Sequence, residues 1–269
     1  MSEWNSAYVE TNGIRLHTWQ LGSAGPNLVL LHGITDSGRC WARTAEQLAA
    51  DYRVVALDAR GHGLSDKPGS YNSTEHAADV AGAIEALGLA PVVLIGHSMG
   101  AEITARVAAD YAPLVRAVVL EDPPWRSPEP ESEGWSEHLQ AWADGLQADQ
   151  AGTHEALMAQ IKERCPGWHE SELDAWVTSK FQVSVDVLRF GSGPRTSWRE
   201  SFQAITCPLL LMTGDPELGA LTPPDVAAEF EKLPHVQAVH FDGAGHNIHR
   251  DRYEPFIVAV QAFLADILA

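Results

Sequence analysis

From its first residues the chain alternates between two hydrophobic periods. Around Asn12-Gly13, Ile14, Leu16 and Thr18 fall on one face and Arg15, His17 and Trp19 on the other. That period of two, broken by Asn-Gly, predicts a β-hairpin with a primed turn. Short apolar runs follow at residues 27–31, 54–57, 92–95, 115–120, 208–212 and 236–241. Most are apolar at consecutive positions, as strands covered on both faces are. Segments of helical period separate them, at 41–50, 74–87, 101–111, 225–233 and 255–268. Asn72 with Glu75, and Thr222-Pro223-Pro224-Asp225, read as helix starts with a cap and early acidic residues. Strand alternating with helix predicts an α/β fold with a doubly wound, mostly parallel sheet, whose ligand site lies at the carboxyl ends of the strands.

The alternation stops after Pro123-Pro124. Residues 135–146, 154–164 and 170–177 carry helical periods with no strand between them. The expected organisation is therefore a core of residues 1–122 and 200–269 interrupted by a helical cap, 123–199. Six of the nine tryptophans fall in that insertion, at 125, 135, 142, 168, 176 and 198. Tryptophans at helical spacing usually pack, so only a few are expected to face a ligand, with Trp125, Trp135 and Trp142 the pocket candidates.

A length of 269 residues fits one large domain carrying an insertion. The formal net charge of −18 excludes a nucleic-acid partner, because phosphate binding needs clustered Lys and Arg. Between Glu129 and Asp174 there are 11 acidic and 2 basic residues, which predicts an anionic outer face for the cap. No apolar run approaches the ~18 residues of a membrane span, and Met1-Ser2-Glu3-Trp4-Asn5 has no leader pattern. Three cysteines without a Cys-x-x-Cys pair fit a reducing compartment. A soluble, cytoplasmic protein without a membrane partner is expected, its oligomeric state left open.

The most specific chemical signal is Gly96-His97-Ser98-Met99-Gly100, between the run 92–95 and a helical segment. This G-x-S-x-G has the strand–turn–helix setting of a nucleophile elbow, where the serine is strained and its neighbours must be small. Serine needs a base at neutral pH. His246, in Gly243-Ala244-Gly245-His246-Asn247 after the last apolar run, is placed to supply it. The expected acid is Glu217, which lies between Ser98 and His246 after the run 208–212; Asp122 and Asp215, also at carboxyl ends, remain alternatives. Backbone amides of Ile34 and Met99, with Gly33 in the same turn, are the expected oxyanion donors. His32 is read as a brace for that loop. No His-x-His or His-Glu-x-x-His spacing and no G-x-G-x-x-G loop occurs, so neither a metal nor a cofactor is expected.

These motifs, with Asp58-Ala59-Arg60-Gly61-His62-Gly63-Leu64-Ser65, resemble the α/β-hydrolase superfamily in order and spacing over essentially the whole chain. The resemblance makes the 58–65 loop a structural turn near the site. It also places Glu217 where the family usually carries aspartate, and Asp215-Pro216-Glu217-Leu218-Gly219-Ala220 is similar to small capped N-acyl-homoserine lactonases and esterases. Dehalogenases and epoxide hydrolases of this fold are excluded, since their nucleophile is a carboxylate and position 98 is serine. The implied activity is a serine hydrolase of a neutral small-molecule ester or lactone. The alternatives are a carbon–carbon bond hydrolase of ring-cleavage products and a slow-turnover lactone receptor.

Overall fold

The computed structural model describes residues 3–124, 133–191 and 198–268, with the side chains of 133–136, 191, 198 and 199 left aside. Eight strands form one sheet: β1 (Asn5–Thr11), β2 (Ile14–Leu21), β3 (Asn27–Leu31), β4 (Arg53–Asp58), β5 (Val92–His97), β6 (Val115–Glu121), β7 (Leu209–Thr213) and β8 (Val236–His240). Their order is β1-β2-β4-β3-β5-β6-β7-β8. The pairs β1/β2 and β2/β4 are antiparallel, and every later pair is parallel. The hairpin turns at Asn12 (φ 47°) and Gly13 (φ 77°), as the Asn-Gly signal requires.

Period two decides which side chain goes to which face. Val29 and Leu31 of β3, Leu94 of β5, Val118 and Leu120 of β6 and Leu209 and Leu211 of β7 join one buried cluster. Helices α2 (Ser73–Ala86) and α3 (Met99–Asp110) complete it. Their neighbours Leu28, Leu30, Val93, Ile95, Val119, Leu210 and Met212 join another. There α1 (Ala42–Leu48) and the C-terminal helix cover the opposite face. Fully burying a Leu, Val or Ile side chain stabilises by about 1.5–3 kcal/mol, and with both faces covered a slip of one residue in a central strand would exchange the two sets and mismatch the packing of both clusters.

Helix α2 starts as expected. Asn72 Oδ1 accepts the Glu75 N–H at 3.0 Å, and the Glu75 carboxylate accepts the Asn72 N–H. The other expected start differs. The helix after Pro223 has no side-chain cap, because Thr222 is spent elsewhere, donating its N–H to Asp122 and its hydroxyl to the Pro123 carbonyl.

Three helices follow β6: α4 (Glu133–Ala151), α5 (His154–Arg164) and α6 (Glu170–Gln182). A short helix α7 (Trp198–Gln203) leads back to β7, and α8 (Pro224–Phe230), α9 (Ile248–Asp251) and α10 (Tyr253–Leu268) finish the chain. Leu157, Ile161, Leu173 and Val177 make a small core between α5 and α6, against which Trp168 and Trp176 pack. Among the described residues, no helix is long and apolar enough to cross a membrane.

Candidate active site

Strand β5 runs into Ser98 and α3 leaves it one residue later. The reversal puts Ser98 at φ 54°, ψ −118°, a conformation that costs a non-glycine residue about 1–3 kcal/mol and persists only where its surroundings enforce it. Here they do. A Cβ on Gly96 would overlap the Gly100 carbonyl, and one on Gly100 would overlap the Leu31 carbonyl. The Ser98 N–H is held by the Glu121 carbonyl at 2.9 Å.

Gly33 and Ile34 lie in the turn that follows the neighbouring strand β3, and an added Cβ on Gly33 would lie 3.4 Å from that of Ser98. Gly33, Ile34, Ser98, Met99 and His246 all line one cleft of about 500 Å³. The expected nucleophile, base and oxyanion donors are thus brought together. His32 is a brace, as read: Nδ1 bonds the Gly33 carbonyl at 2.8 Å, leaving Nε2 to accept the Ala59 N–H at 3.0 Å. The 58–65 loop is a structural turn. Asp58 accepts from the Gly38 N–H at 2.7 Å and the Leu64 N–H at 3.1 Å and pairs with buried His17 at 3.0 Å.

The carboxylate that meets His246 is Asp122, not the expected Glu217. Asp122 Oδ2 lies 2.6 Å from His246 Nδ1. It also accepts the Leu221 N–H at 2.8 Å, while Oδ1 accepts the Thr222 N–H at 2.9 Å. Asp122 sits at the end of β6, beside β5, with φ 40°. That left-handed turn directs the side chain under the loop that carries His246. Glu217 lies in an exposed 3-10 turn, Pro216–Leu218, and faces a separate groove. Asp215, the other alternative, is committed to the His240 ring at 3.0 Å and the Gly243 N–H at 2.7 Å.

A second acid–imidazole pair stands behind the first. The residue before Asp122, Glu121, is fully buried and accepts both the His249 N–H at 2.9 Å and its ring at 2.8 Å. Burial raises the Glu121 carboxyl to about 7. His97 fits between the two imidazoles, with ring centroids 4.7 Å from His246 and 5.1 Å from His249. Burial pushes its pKa down to about 3, so the ring is neutral and Nε2–H donates to the His246 carbonyl at 2.9 Å. His97, Glu121 and His249 are near enough to share a metal ion, as are Asp215, His240 and Asp242. In the first set Glu121 bonds the His249 ring and His97 Nε2 the His246 carbonyl, while His97 Nδ1 is buried without a hydrogen-bond partner among the described residues; in the second, Asp215 bonds the His240 ring and Asp242 stands 3.7 Å from it.

Of the three tryptophan candidates, Trp142 lines the cleft, joined by Trp176 and Phe190. Trp125 and the side chain of Trp135 lie outside the described residues. Sequence reading missed Lys180, Asp36 and Arg250, which are all buried beside the cleft. The one available signal was an Asp three residues after Gly33, in a turn where a buried carboxylate needs cations.

The pattern of the alpha/beta hydrolase fold family matches residues 26–253. Among curated proteins, the chain is 31% identical to N-formylmaleamate deformylase of Pseudomonas putida over 95% of both chains. It is 28% identical to 2-(acetamidomethylene)succinate hydrolase of Mesorhizobium japonicum, over 96% of this chain and 95% of that one. Among solved structures, an E-2-(acetamidomethylene)succinate hydrolase superposes with a TM-score of 0.80 at 28% identity, over 98% of this chain and 100% of the other. With a strained serine elbow, an acid-paired histidine and a family match of this extent, the chain belongs to the α/β-hydrolase fold family and is a hydrolase.

Proposed function

We propose that the protein hydrolyses an acyl bond of a small open-chain molecule, an N-acyl group foremost, by a Ser98–His246–Asp122 triad and an acyl-enzyme. The observation that carries the mechanism is the 2.6 Å contact of Asp122 with His246 Nδ1 in the cleft that Ser98 lines. With Nδ1 occupied by the carboxylate, Nε2 is the base. It takes the proton of Ser98 Oγ as the hydroxyl attacks the acyl carbon, and Asp122 stabilises the imidazolium that forms. The amides of Ile34 and Met99 receive the oxyanion, a contribution of about 3–4 kcal/mol per donor in comparable sites. The imidazolium then protonates the leaving nitrogen or oxygen, and water repeats the sequence on the acyl-enzyme.

The relatives support the choice of bond. The two names above denote N-formyl and acetamido compounds, open-chain unsaturated acids with a nitrogen-bound acyl group. This sits closer to the ring-cleavage alternative drawn from the sequence than to a lactone. The cleft supports a small substrate, at about 500 Å³ with walls of Trp142, Trp176, Phe190 and Leu221.

Competition assays decide the bond. Purified protein should release formate or acetate from N-formyl or N-acetyl enamides faster than it opens acyl-homoserine lactones or cleaves vinylogous 1,5-diketones. Mass spectrometry after rapid quench should find the acyl group on Ser98. Faster lactone opening, or turnover without acylation of Ser98, would refute the proposal.

A further inference from the structure

The turn bearing the expected oxyanion donors is fixed from outside the sheet. Thr35 follows Ile34 with φ 67°, a region that β-branched residues rarely occupy. Lys180, in α6, reaches down to it. Its ammonium donates to the Thr35 carbonyl at 2.9 Å, to Thr35 Oγ1 at 3.0 Å and to Asp36 Oδ1 at 3.0 Å. Ser179 Oγ lies 3.0 Å from the same Thr35 carbonyl and 2.6 Å from the Trp176 carbonyl, which share its one proton, and it accepts from the Lys180 ammonium at 3.3 Å.

Asp36 is shared. Its other oxygen accepts from Arg250 at 2.7 Å, and Arg250 also holds the Asn247 side chain at 2.8 Å, one residue from His246. All three charged groups are buried, with 3%, 4% and 2% exposure for Lys180, Asp36 and Arg250. Burial alone would raise the Asp36 carboxyl, but the Arg250 and Lys180 charges reverse this and hold it well below its ordinary value. Ions taken so far from water are retained only with near-complete pairing, and removing one partner leaves the rest uncompensated.

Lys180 also connects to the substrate space. Its ammonium lies 4.1 Å from the centroid of the Trp176 ring, and Trp176 lines the cleft with Ser98. The same cation thus touches a wall of the cleft and the turn that presents the Ile34 N–H.

We propose that Lys180 is a positioning residue for the oxyanion: it seats α6 on the 33–36 turn and aims the Ile34 amide, while Asp36 ties that turn to the His246 loop through Arg250. The proposal rests on the assignment of Ser98 as nucleophile and of the Ile34 amide as an oxyanion donor. A misaimed donor weakens transition-state binding more than ground-state binding, so the loss belongs in kcat.

The test compares wild type, Lys180→Gln, Lys180→Arg and Ser98→Ala in p-nitrophenyl acetate hydrolysis and in labelling by a fluorophosphonate, whose phosphoryl oxygen uses the same hole. Lys180→Gln should lower kcat by about tenfold or more, leave KM within about twofold and slow labelling by the same factor as kcat. Lys180→Arg should recover most of both. Thermal melting monitors folding, and Ser179→Ala, which removes the hydroxyl set between the Thr35 carbonyl, the Trp176 carbonyl and the Lys180 ammonium, is the milder variant should Lys180→Gln not fold. It should show the same split at smaller size. A Lys180→Gln or Ser179→Ala protein with native kcat and labelling rate would overturn the proposal, as would a loss confined to KM. Wild type that is neither labelled nor active, or Ser98→Ala that is labelled equally, would instead remove the nucleophile assignment, and this inference with it.

Discussion

Asp122 and His246 stand 124 residues apart in the chain and 2.6 Å apart in the fold. Neither strand order nor loop length imposes that contact alone. It needs β6 to lie beside β5, the left-handed conformation at Asp122, and the N–H groups of Leu221 and Thr222 to hold the carboxylate in place.

Asp122→Asn should therefore lower kcat by about 10³–10⁴-fold, because an amide no longer stabilises the imidazolium and favours the wrong tautomer. Glu217→Gln and Asp215→Asn should each stay within about threefold of wild type, since neither side chain contacts His246. Steady-state kinetics on one chromogenic ester gives the ranking, and a larger loss in Glu217→Gln would reverse the assignment.

Ser98→Ala and His246→Ala should each remove at least about 10³-fold of turnover, and the double variant should be scarcely slower than either. Multiplicative losses would mean that the two side chains act independently. Ser98→Ala should not unfold the protein, and because alanine bears a Cβ just as serine does, the strained φ persists and the melting temperature should change little.

Much of this was legible in the chain because local rules and global packing agree. The central strands announce themselves by apolar runs, the Asn12-Gly13 hairpin by its turn and α2 by its capping box. The elbow was readable for the same reason: Gly96 and Gly100 are glycine because backbone carbonyls leave no room for a Cβ. The acid was not. Asp122, Asp215 and Glu217 all follow core strands, and choosing among them depends on which loop the imidazole overhangs. The Lys180–Asp36–Arg250 network was hidden for a related reason, since its members come from three distant segments and no periodicity links them.

The glycines of the elbow make a stability prediction. Gly100→Ala places a methyl group against the Leu31 carbonyl, which is backbone and cannot rotate away. Overpacking of this kind costs typically about 1–3 kcal/mol. Urea unfolding should show the loss, whereas Gly145→Ala, where an added Cβ meets nothing within 4 Å, should be neutral or slightly stabilising.

Glu121 supplies a pH prediction. Its folded pKa is raised from 4.5 to about 7, first by burial. Between those values the folded state keeps a proton that the unfolded state releases, so this group's contribution is full below about pH 4.5 and fades as pH rises through 7. His249, held well below its ordinary value by burial, works with the opposite sign. The wild-type curve therefore mixes the two, and the difference from Glu121→Gln reports the carboxyl together with its effect on the His249 and His97 rings it faces. Relative to wild type, Glu121→Gln should gain stability from about pH 5 to pH 7 and level off above that. A stability difference that is flat over this range would show that Glu121 titrates normally.

Charge sets the last expectation. The formal net charge is −18, and the described residues lining the cleft include neither Lys nor Arg. The one acidic side chain there, Asp36, is occupied by Lys180 and Arg250. An anionic substrate thus approaches against the protein's field, whereas an uncharged one does not. For an acidic N-acyl substrate, kcat/KM should rise as salt is increased from about 10 to 150 mM, because the Debye length shortens from about 30 Å to about 8 Å. The methyl ester of the same compound should show little change, and the effect should fall on kcat/KM and leave kcat nearly constant, since screening acts on encounter and binding rather than on the bound acyl group. Among uncharged p-nitrophenyl esters, lengthening the acyl chain should raise kcat/KM by up to about tenfold for each two methylenes buried, until the wall of Trp142, Trp176 and Phe190 is reached. Trp176→Ala should weaken that dependence. An acidic substrate that slows with salt would place a cation in its path, and a profile flat in chain length would take the aromatic wall out of substrate binding while leaving Ser98, His246 and Asp122 in their roles.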